Sequence, residues 1–314
     1  MGRLVLPDCQ GYPRLAELVR RCPGGDAIEV FTGPYVTPAR LAERIRGART
    51  VLHFFHGRPL DTGALLAERP REVVVAGPAG RAVDLDAARS AGIAVHDTPG
   101  LAADSVAEFT LTLLLMLAHR VPTAVGSAPG WQPAAGRELS GALLGIIGWG
   151  RVGARVARLA QGIGMRVAAW SPSLDEGTAR AAKVTRMPLD ALLGTADAVS
   201  VHLRAVPGNQ EIIDARRLAL LGPRTLLVNT ARAALVDMSE LRRRLADGLL
   251  GGVALDVFDI EPLPADDLLR QHPNSLATPH MAWMTDDAVG RFLAAAVAFA
   301  VSKDTGPGLV RRVV

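Results

Sequence analysis

The stretch from Leu143 to Ser171, LLGIIGWGRVGARVARLAQGIGMRVAAWS, decides the fold because strand, turn and helix signals follow one another in it. Its apolar start is typical of a buried strand, and Gly148, Gly150 and Gly153 then stand in the spacing G-x-G-x-x-G. A helical pattern of apolar residues leads on to a second apolar run over Arg166–Trp170. This order predicts a strand, a tight turn, a helix and a second, parallel strand.

The glycine spacing predicts a dinucleotide ligand. The first glycine permits the turn, the second lets the backbone approach a pyrophosphate, and the third lets the helix pack against the strand. Phosphate groups would lie at the positive N-terminus of the helix, which makes Arg151 and Val152 further candidate cofactor-binding residues. The same spacing also fits a plain glycine-rich turn between core elements, and the second apolar run favours the dinucleotide.

The residue after the second strand bears on which dinucleotide binds. An acidic residue in this place hydrogen-bonds the ribose hydroxyls of NAD and repels the 2′-phosphate of NADP. This chain has Ser171 there, followed by Pro172 and Ser173, so it carries neither the acid nor an adjacent arginine. The sequence therefore predicts NAD or NADP as the cofactor and leaves the choice between them open.

The bulk composition describes an ordinary soluble globular protein. A length of 314 residues fits about two domains, and 49% of the residues are hydrophobic and 21% charged. The net charge of +4 is spread along the chain, so we expect no nucleic-acid or membrane partner. The two cysteines, Cys9 and Cys22, stand in no metal-binding spacing, so we expect no metal. They also suit a reducing compartment, and with no signal-peptide pattern we expect a cytoplasmic protein.

Apolar runs alternate with helical patterns along the chain, which predicts parallel sheets of the α/β class. The main runs are Leu4–Leu6, Ala27–Phe31, Val51–Phe54, Val73–Val75, Ile93–Val95, Ala198–His202, Thr225–Asn229 and Gly252–Phe258. Ser105–Arg120 predicts a long apolar helix whose N-cap is Asp104 or Ser105. The Pro, Gly and Ala content of Val121–Arg137 predicts a loop.

Polar residues follow three of the predicted strands in otherwise apolar surroundings. The three segments are Asn229–Arg232, Asp256–Pro262 and Thr278–His280. Ligands of open α/β sheets bind at the carboxyl ends of the strands. Each segment alone is compatible with ordinary surface or turn residues, whereas their joint occurrence favours a functional site.

At this point the chain resembles the D-isomer-specific 2-hydroxyacid dehydrogenase family over nearly its whole length. Besides the glycine motif, the resemblance rests on segments that stand in family order: Val83–Ala88, Gly92–Val95, Thr98–Gly100, Val106–Glu108, Gly136–Gly141, Asn229–Arg232, Ala254–Phe258 and Thr278–His280. It implies an α/β fold of two Rossmann-like, doubly wound parallel-sheet domains with the active site in the cleft between them.

The resemblance also implies how the chain is divided. The substrate-binding domain would be discontinuous and flavodoxin-like, comprising residues 1–101 and 285–314, and the dinucleotide-binding Rossmann domain would comprise residues 102–284. A homodimer through the cofactor domain is expected, with the helix over Ser105–Arg120 at its interface.

By resemblance, the catalytic residues are Arg232, Glu261 and His280. The physical roles agree: a guanidinium fork fixes a keto acid carboxylate, an imidazolium donates a proton near neutral pH, and a carboxylate favours the charged ring. Hydride would come from the nicotinamide. Asp256 is expected to contact the cofactor carboxamide, and Thr230 and Ala231 are expected to border the ring.

Three departures from the family pattern bear on cofactor and substrate. Ala233 replaces the usual glycine after the arginine. Leu203–Val206 replaces the usual Leu-Pro-Leu-Thr after His202, which puts Arg204 near the expected adenosine end or, equally, at a solvated surface. The substrate loop is Gly77–Ala82, in which Arg81 stands where an acid or amide is usual.

These departures suggest a positively charged pocket around the far end of the substrate. The expected substrate-binding residues are His56, Arg58, Pro78, Ala79, Gly80, Arg81, Arg232 and Trp283. Unpaired charge is costly beside an apolar group, so the cations favour a substrate with a second anion, such as a carboxylate, phosphate or phosphonate. A pocket of Phe54, Phe55 and Trp283 that accepts an apolar keto acid is the alternative.

The expected activity is hydride transfer between NAD(P)H and a 2-keto acid or D-2-hydroxy acid. A formate- or phosphite-oxidising relative would share the fold, although formate enzymes resembling this family have glutamine in place of the glutamate at Glu261. A non-catalytic dinucleotide-sensing protein of the corepressor type is a third possibility. Such proteins tend to carry extra tails, which this sequence lacks.

Overall fold

The two groups of apolar runs fold into two separate parallel sheets. The computed structural model describes residues 2–126, 133–303 and 308–314. The chain divides into unit 1, Met1–Ala102 with Met284–Val314, and unit 2, Ala103–Trp283. Both are α/β units, so the predicted fold class is confirmed.

The strands follow the predicted apolar runs closely, and most ends agree within one or two residues. They are β1 (Leu4–Leu6), β2 (Ile28–Val30), β3 (Thr50–Phe54), β4 (Glu72–Ala76), β5 (Ala94–Asp97), β6 (Leu143–Ile147), β7 (Arg166–Trp170), β8 (Thr185–Arg186), β9 (Ala198–Val201), β10 (Leu226–Asn229), β11 (Gly252–Leu255), β12 (Ser275–Ala277) and β13 (Arg311–Arg312).

The helices lie between the strands. They are α1 (Leu15–Arg21), α2 (Pro38–Ile45), α3 (Thr62–Glu68), α4 (Leu85–Ser90), α5 (Ala103–Ala118), α6 (Val121–Gly126), α7 (Arg151–Gly162), α8 (Glu176–Ala181), α9 (Leu189–Thr195), α10 (Ala215–Leu218), α11 (Met238–Ala246), α12 (Leu268–Gln271) and α13 (Asp286–Ser302).

The sheet of unit 2 provides the frame for the glycine motif. Its strand order is β12-β11-β10-β9-β6-β7-β8, and all of its pairings are parallel. The chain starts at β6, adds β7 and β8 on one side, and then crosses to β9 on the other side. The order therefore reverses beside β6, and ligands of such sheets bind at this switch point.

The start of α5 and the segment after it differ from the sequence-based expectation. Helix α5 begins at Ala103, so neither Asp104 nor Ser105 is its N-cap, and Asp104 instead pairs with Arg155 of α7. The loop prediction for Val121–Arg137 is wrong over α6, where the Thr123 hydroxyl donates to the Pro273 carbonyl at 3.0 Å. Residues 127–132 of that segment lie outside the described residues. Both differences depend on contacts between segments distant in the sequence.

Unit 1 closes with a strand from the C-terminal end of the sequence. Its order is β13-β5-β4-β3-β1-β2, and only β13 runs antiparallel to its neighbour, β5. The Arg311 guanidinium binds both oxygens of the Asp97 carboxylate, at 3.0 and 2.7 Å, and Asp97 is only 1% exposed. The same carboxylate accepts from the Ala79 amide at 3.3 Å. Strand β13 thus supports the Gly77–Ala82 loop through Asp97.

We predict that Arg311→Ala destabilises unit 1, because it leaves the buried Asp97 carboxylate without its cation. Hydrogen bonds to charged groups contribute about 1.5–3 kcal/mol, and the half-exposed arginine places the expected loss at the lower end. Thermal unfolding followed by circular dichroism measures it. The neighbouring Arg312→Ala, whose guanidinium donates to the Val314 carbonyl, is the matched control. Equal melting temperatures for both variants would contradict the role given to Asp97.

Candidate active site

The residues predicted to bind the cofactor line one edge of the sheet in unit 2. Because the strands are parallel, their carboxyl ends share this edge. In sheet order, the residues that follow the strands are His280 after β12, Asp256 after β11, Thr230 after β10, His202 after β9, Gly148 after β6 and Ser171 after β7. The fold therefore brings six predicted positions from distant parts of the sequence into one row.

The glycine motif has the geometry that a bound pyrophosphate requires. Gly148 has a φ of 106°, and a side chain on it would come within 2.5 Å of the His202 backbone. A Cβ on Gly153 would lie 2.2 Å from the Gly148 carbonyl oxygen, so the close packing of α7 on β6 requires glycine. A Cβ on Gly150 would meet nothing within 4 Å. The N-terminus of α7 thus opens onto free space, where phosphate oxygens would fit.

The serine after β7 lies at the opposite end of the row from His280. Ser171 is buried, and its hydroxyl is 3.3 Å from the hydroxyl of Ser173. Arg151, the first residue of α7, and Arg204, in the loop after β9, are both exposed. Strands β7 and β9 flank β6 on opposite sides, so Ser171 and Arg204 border the glycine motif from its two sides.

His202 is a neutral residue of this edge. Burial lowers the pKa of its imidazole to about 3, and its Nε2 lies 2.7 Å from the Ser200 hydroxyl. Its backbone amide donates to the Ile147 carbonyl at 2.7 Å, which ties the start of the loop after β9 to the end of β6. A neutral, hydrogen-bonded ring of this kind supports the cofactor edge and cannot supply a charge to it.

The loop that carries Arg232 is held by a residue whose role the sequence did not reveal. Asn229 is completely buried, and its side chain accepts from the Ala231 amide and donates to the Arg232 carbonyl, both at 2.9 Å. Thr230 is buried, with its hydroxyl 2.8 Å from that of Thr110. The Arg232 side chain is exposed and donates to the Ala231 carbonyl at 2.6 Å. Asn229 therefore fixes the backbone from which Arg232 projects.

His280 and Glu261 form the hydrogen-bonded pair that the sequence predicted. The His280 Nδ1 lies 2.9 Å from Oε2 and 3.1 Å from Oε1 of Glu261. Glu261 Oε1 also accepts from the Phe258 amide at 3.1 Å, which fixes the carboxylate. With Nδ1 bound to a carboxylate, the other ring nitrogen is available to exchange a proton with a ligand.

The backbone at His280 is unusual, and two neighbours hold it. Its φ of 52° lies in the left-handed region, which is strained for a residue other than glycine. The Trp283 indole donates to the His280 carbonyl at 3.0 Å, and the tryptophan is buried. Trp283 was expected to line the substrate pocket, and its position here makes it a support of the His280 loop.

Asp256 is the second support of this loop, and here the sequence-based expectation needs correction. Its carboxylate accepts from the Thr278 hydroxyl at 2.6 Å and from the Met281 and Ala282 amides at 2.8 Å. Burial raises the pKa of Asp256, and these hydrogen bonds act in the opposite direction. The residue has no exposed surface with which to contact a cofactor carboxamide. We therefore assign it to positioning His280.

The predicted substrate-binding residues of unit 1 lie on two adjacent loops, after β3 and after β4. The Phe55 amide donates to the Ala76 carbonyl at 3.2 Å, and the Leu60 amide to the Ala82 carbonyl at 2.9 Å, so the loops run side by side. The exposed members of the predicted set are His56, Arg58, Pro78, Gly80 and Arg81. Ala79 is the exception, because it is buried and its amide is bound to Asp97.

The Arg58 side chain has partners on the side of unit 1 that contains β1 and β2. The Arg58 guanidinium reaches the Val36 carbonyl at 3.5 Å, on the side of β1 and β2, whereas Arg81 follows β4 on the other side of β3. Burial raises the pKa of Asp8, and the positive charges of Arg44 and Arg58 lower it, which places Arg58 near a carboxylate. The grouping of His56, Arg58 and Arg81 around one ligand stays a prediction, and all three are exposed on these two loops.

The predicted apolar alternative for the substrate pocket is also weakened. Phe54 is buried in unit 1 and packs against Tyr12 and Phe55, with ring centroids 6.4 and 5.2 Å apart. Phe55 in turn packs against Phe292 of α13 at 5.5 Å. Phe54 and Phe292 belong to the interior of unit 1, Phe55 is half-buried, and Trp283 is buried in unit 2.

Within residues 2–126, 133–303 and 308–314, no group of three or more His, Cys, Asp or Glu side chains could hold a metal ion. Over the same ranges, no helix combines the length and the apolar character that crossing a membrane demands.

Comparison with known proteins identifies the relatives of this chain. Residues 111–282 match the family model described as D-isomer specific 2-hydroxyacid dehydrogenase, NAD binding domain. The chain is 39% identical over 211 residues to the (S)-sulfolactate dehydrogenase of Chromohalobacter salexigens, which covers 66% of this chain and 68% of that protein. It is 35% identical over 265 residues to the glyoxylate reductase of Aeropyrum pernix, covering 79% of each.

A solved structure agrees with these matches over both units. The TT0316 protein from Thermus thermophilus superimposes with a TM-score of 0.80 at 31% sequence identity, covering 99% of this chain and 100% of that one.

We predict that Asp256→Ala loosens the loop from Thr278 to Trp283, because it removes the acceptor of the Met281 and Ala282 amides and leaves the Thr278 hydroxyl only the Leu255 carbonyl, at 3.4 Å. Each buried group left unsatisfied costs about 1–3 kcal/mol. Hydrogen exchange at Met281 and Ala282 should accelerate by at least about tenfold, whereas exchange at Val253 in β11 should change little. Thr278→Val, which removes one of the three donors, should have a smaller effect. Unchanged exchange at the two amides would exclude Asp256 as the support of the loop.

Proposed function

Because the chain belongs to the D-isomer specific 2-hydroxyacid dehydrogenase family, we propose that it transfers hydride between NAD(P)H and a 2-keto acid or its D-2-hydroxy acid. The observation that carries the proposal is the His280–Glu261 pair at 2.9 Å, on the same sheet edge as the glycine motif. Unit 2 is the cofactor domain in this proposal, and unit 1 is the substrate domain.

Arg232 binds the substrate carboxylate in this mechanism. Its side chain is exposed, and Asn229 fixes its backbone, so the guanidinium is presented without large motion of the loop. A planar fork with parallel N–H groups matches a carboxylate in a bidentate way, which fixes the orientation of the adjacent keto group. The binding of the substrate therefore also aligns its reactive carbon.

His280 is the proton donor to the keto oxygen during reduction and the acceptor during oxidation. The Glu261 carboxylate at Nδ1 orients the ring, so that Nε2 carries the exchangeable proton. Asp256 and Trp283 hold the backbone of His280 from behind. This chain thus supplies the proton, while the nicotinamide, when bound, supplies the hydride.

NAD or NADP is held along the row of residues on the edge of unit 2. When the cofactor is bound, the α7 N-terminus at Gly150–Gly153 would hold the pyrophosphate, Ser171 would lie at the adenosine ribose, and Thr230 and Ala231 would border the nicotinamide. The family model matched by this part of the chain is an NAD-binding domain.

We assign the far end of the substrate to a second anionic group, with Arg81 as the main cation. Arg81 is exposed on a loop that Asp97 and Arg311 support, while the Arg58 guanidinium reaches the Val36 carbonyl at 3.5 Å. The similarity to a sulfolactate dehydrogenase, whose name denotes a substrate with a sulfonate as well as a carboxylate, supports the same class. Carboxylate, phosphonate and sulfonate groups all accept charge-assisted hydrogen bonds from arginine.

The proposal includes a homodimer that forms through unit 2 and a cytoplasmic location. The family resemblance supports the dimer. Both cysteines are free thiols, with Cys22 buried, which agrees with a reducing compartment.

We expect steady-state assays with a panel of 2-keto acids to show reduction that depends on all three catalytic residues. His280→Ala should lower kcat by about 10²–10⁴-fold, the usual contribution of a positioned acid–base group. Arg232→Ala should act mainly on kcat/KM for the keto acid, and Glu261→Gln should lower kcat, because the ring loses the carboxylate that orients it. His119→Ala, an exposed histidine in the same unit, is the control.

The same assays separate the other candidate functions. If the protein oxidises formate or phosphite and reduces no keto acid, the proposed reaction is wrong and the protein is a formate- or phosphite-oxidising dehydrogenase. Binding of NADH without turnover of any compound in the panel would point to a sensing protein. Near-normal turnover by the His280→Ala variant would overturn the catalytic assignment itself.

A second prediction concerns the choice of cofactor. With Ser171 at the ribose, no carboxylate repels the 2′-phosphate, so we expect NADPH to be accepted at least as well as NADH. Ser171→Asp should restore this repulsion and shift the ratio of kcat/KM values towards NADH. Ser239→Asp, which adds the same charge at an exposed position of α11, should leave the ratio unchanged. A wild-type protein that does not use NADPH would show that this position does not decide the preference.

A third prediction tests the second anion. Oxaloacetate, phosphonopyruvate and sulfopyruvate should give higher kcat/KM values than pyruvate and phenylpyruvate. Arg81→Ala should reduce that advantage by about 10- to 100-fold, the value of one or two charge-assisted hydrogen bonds, and Arg58→Ala should reduce it less. Arg89→Ala, at an exposed position of α4, is the control. If the dianionic substrates have no advantage, or keep it in Arg81→Ala, the second-anion site is wrong.

A further inference from the structure

A cavity in unit 2 lies at the edge of the sheet opposite to the candidate active site. It has a volume of about 240 Å³ and is bounded by Leu226 at the start of β10, by Gly251 before β11 and by Asn274 before β12. The C-terminal end of α5, with Leu117, closes one side. The cavity is therefore formed by the amino ends of three strands, whereas the active-site residues follow their carboxyl ends.

Three arginines line this cavity, and none of its lining residues is acidic. Arg120 follows the end of α5, Arg137 precedes β6, and Arg224 precedes β10. The fold of unit 2 brings these three cations together from segments that are far apart in the sequence. Over the described residues, the side chains of Arg120 and Arg224 are exposed and take part in no hydrogen bond or ion pair of the structure.

Arg137 is the fixed member of the group. Its Nη2 donates to the Asp197 carbonyl at 3.0 Å, and its amide donates to the Ala118 carbonyl at 2.9 Å. Burial lowers the pKa of Arg137, and the positive charge of Arg224 acts in the same direction, while the Asp197 carboxylate acts against both. Asp197 itself accepts from the Leu143 amide at 2.7 Å and does not line the cavity. Two guanidinium groups are therefore held near each other by the fold.

The end of α5 does not by itself account for these charges. A helix C-terminus carries roughly half a negative charge and favours a nearby cation, which is a sufficient reason for Arg120 alone. It leaves the charges of Arg137 and Arg224 largely uncompensated, apart from the single carboxylate of Asp197. Like charges that face one concave space raise the free energy of the protein unless an anion enters.

We propose that this arginine-lined cavity is a binding site for a small polyanion with phosphate or carboxylate groups, separate from the active site. Arginine forks bind either group in a bidentate way, and three of them match a ligand with two or more negative charges. The volume lies below the range of pockets for drug-sized ligands, so it fits a compact ion. A bound anion stabilises unit 2, because the anion binds only the folded chain.

The test is anion binding by the full-length protein in the presence of NADH, which fills the dinucleotide site. Inorganic phosphate and citrate are titrated separately at constant ionic strength, with calorimetry and thermal unfolding as readouts. We expect the wild-type protein to bind these anions and its Tm to rise. The anion with the lower Kd identifies the preferred chemical group. Arg120→Ala with Arg224→Ala should weaken binding by at least about tenfold and abolish the rise in Tm.

Three further measurements keep the test decisive. Arg180→Ala removes an exposed arginine of α8 outside the cavity and should bind like the wild type. Arg232→Ala should also retain binding, which excludes the substrate site as the source. Without added anion, Arg224→Ala should melt no lower than the wild type, because it removes repulsion. The proposal is overturned if wild-type protein binds neither anion, or if the double variant binds as tightly as the wild type.

Discussion

The carboxylate of Asp256 is the interaction on which the rest of the site depends. It is buried at the end of β11 and accepts three hydrogen bonds from the segment that carries His280. His280 needs this support, because a left-handed conformation costs about 1–3 kcal/mol for a residue other than glycine. Without these hydrogen bonds, the loop would relax and the ring would leave Glu261. The buried Asp256 therefore sets the position of His280, which is the proton donor in the proposed function.

The parallel strands of unit 2 place the other residues of the site on the same edge of the sheet as Asp256 and His280. Six strands of unit 2 end on one edge, and each is followed by a residue with a distinct task. The reversal of strand order beside β6 opens the space above Gly150, which has no neighbour within 4 Å of a Cβ position. The pyrophosphate site and the acid–base pair are then fixed by the same sheet, so the distance between them depends on strand spacing and little on loop flexibility.

Features that depend on the local sequence pattern could be predicted from the sequence, whereas features that depend on tertiary contacts could not. The glycine spacing, the apolar strands and the joint occurrence of Arg232, Glu261 and His280 were all visible, because each depends on neighbouring residue types. The start of α5 and the existence of α6 were not, since Arg155 and Pro273 lie far away in the chain. The same limit explains the error at Asp256, because its burial is a property of the folded loop. It also explains why the sequence did not reveal the partners of the Arg58 side chain, which are residues after β1 and β2.

Family membership leaves the identity of the substrate to unit 1. The matched family model covers residues 111–282, which lie in unit 2 and carry the glycine motif and the catalytic trio. A shared fold supports many substrates through changes in a few side chains. In unit 1 the loop that carries the exposed Arg81 is held through Ala79, Asp97 and Arg311, and the last of these lies on β13. The short C-terminal strand therefore fixes the backbone beside Arg81, and in the proposed function this reduces the entropy that the loop loses when an anion binds.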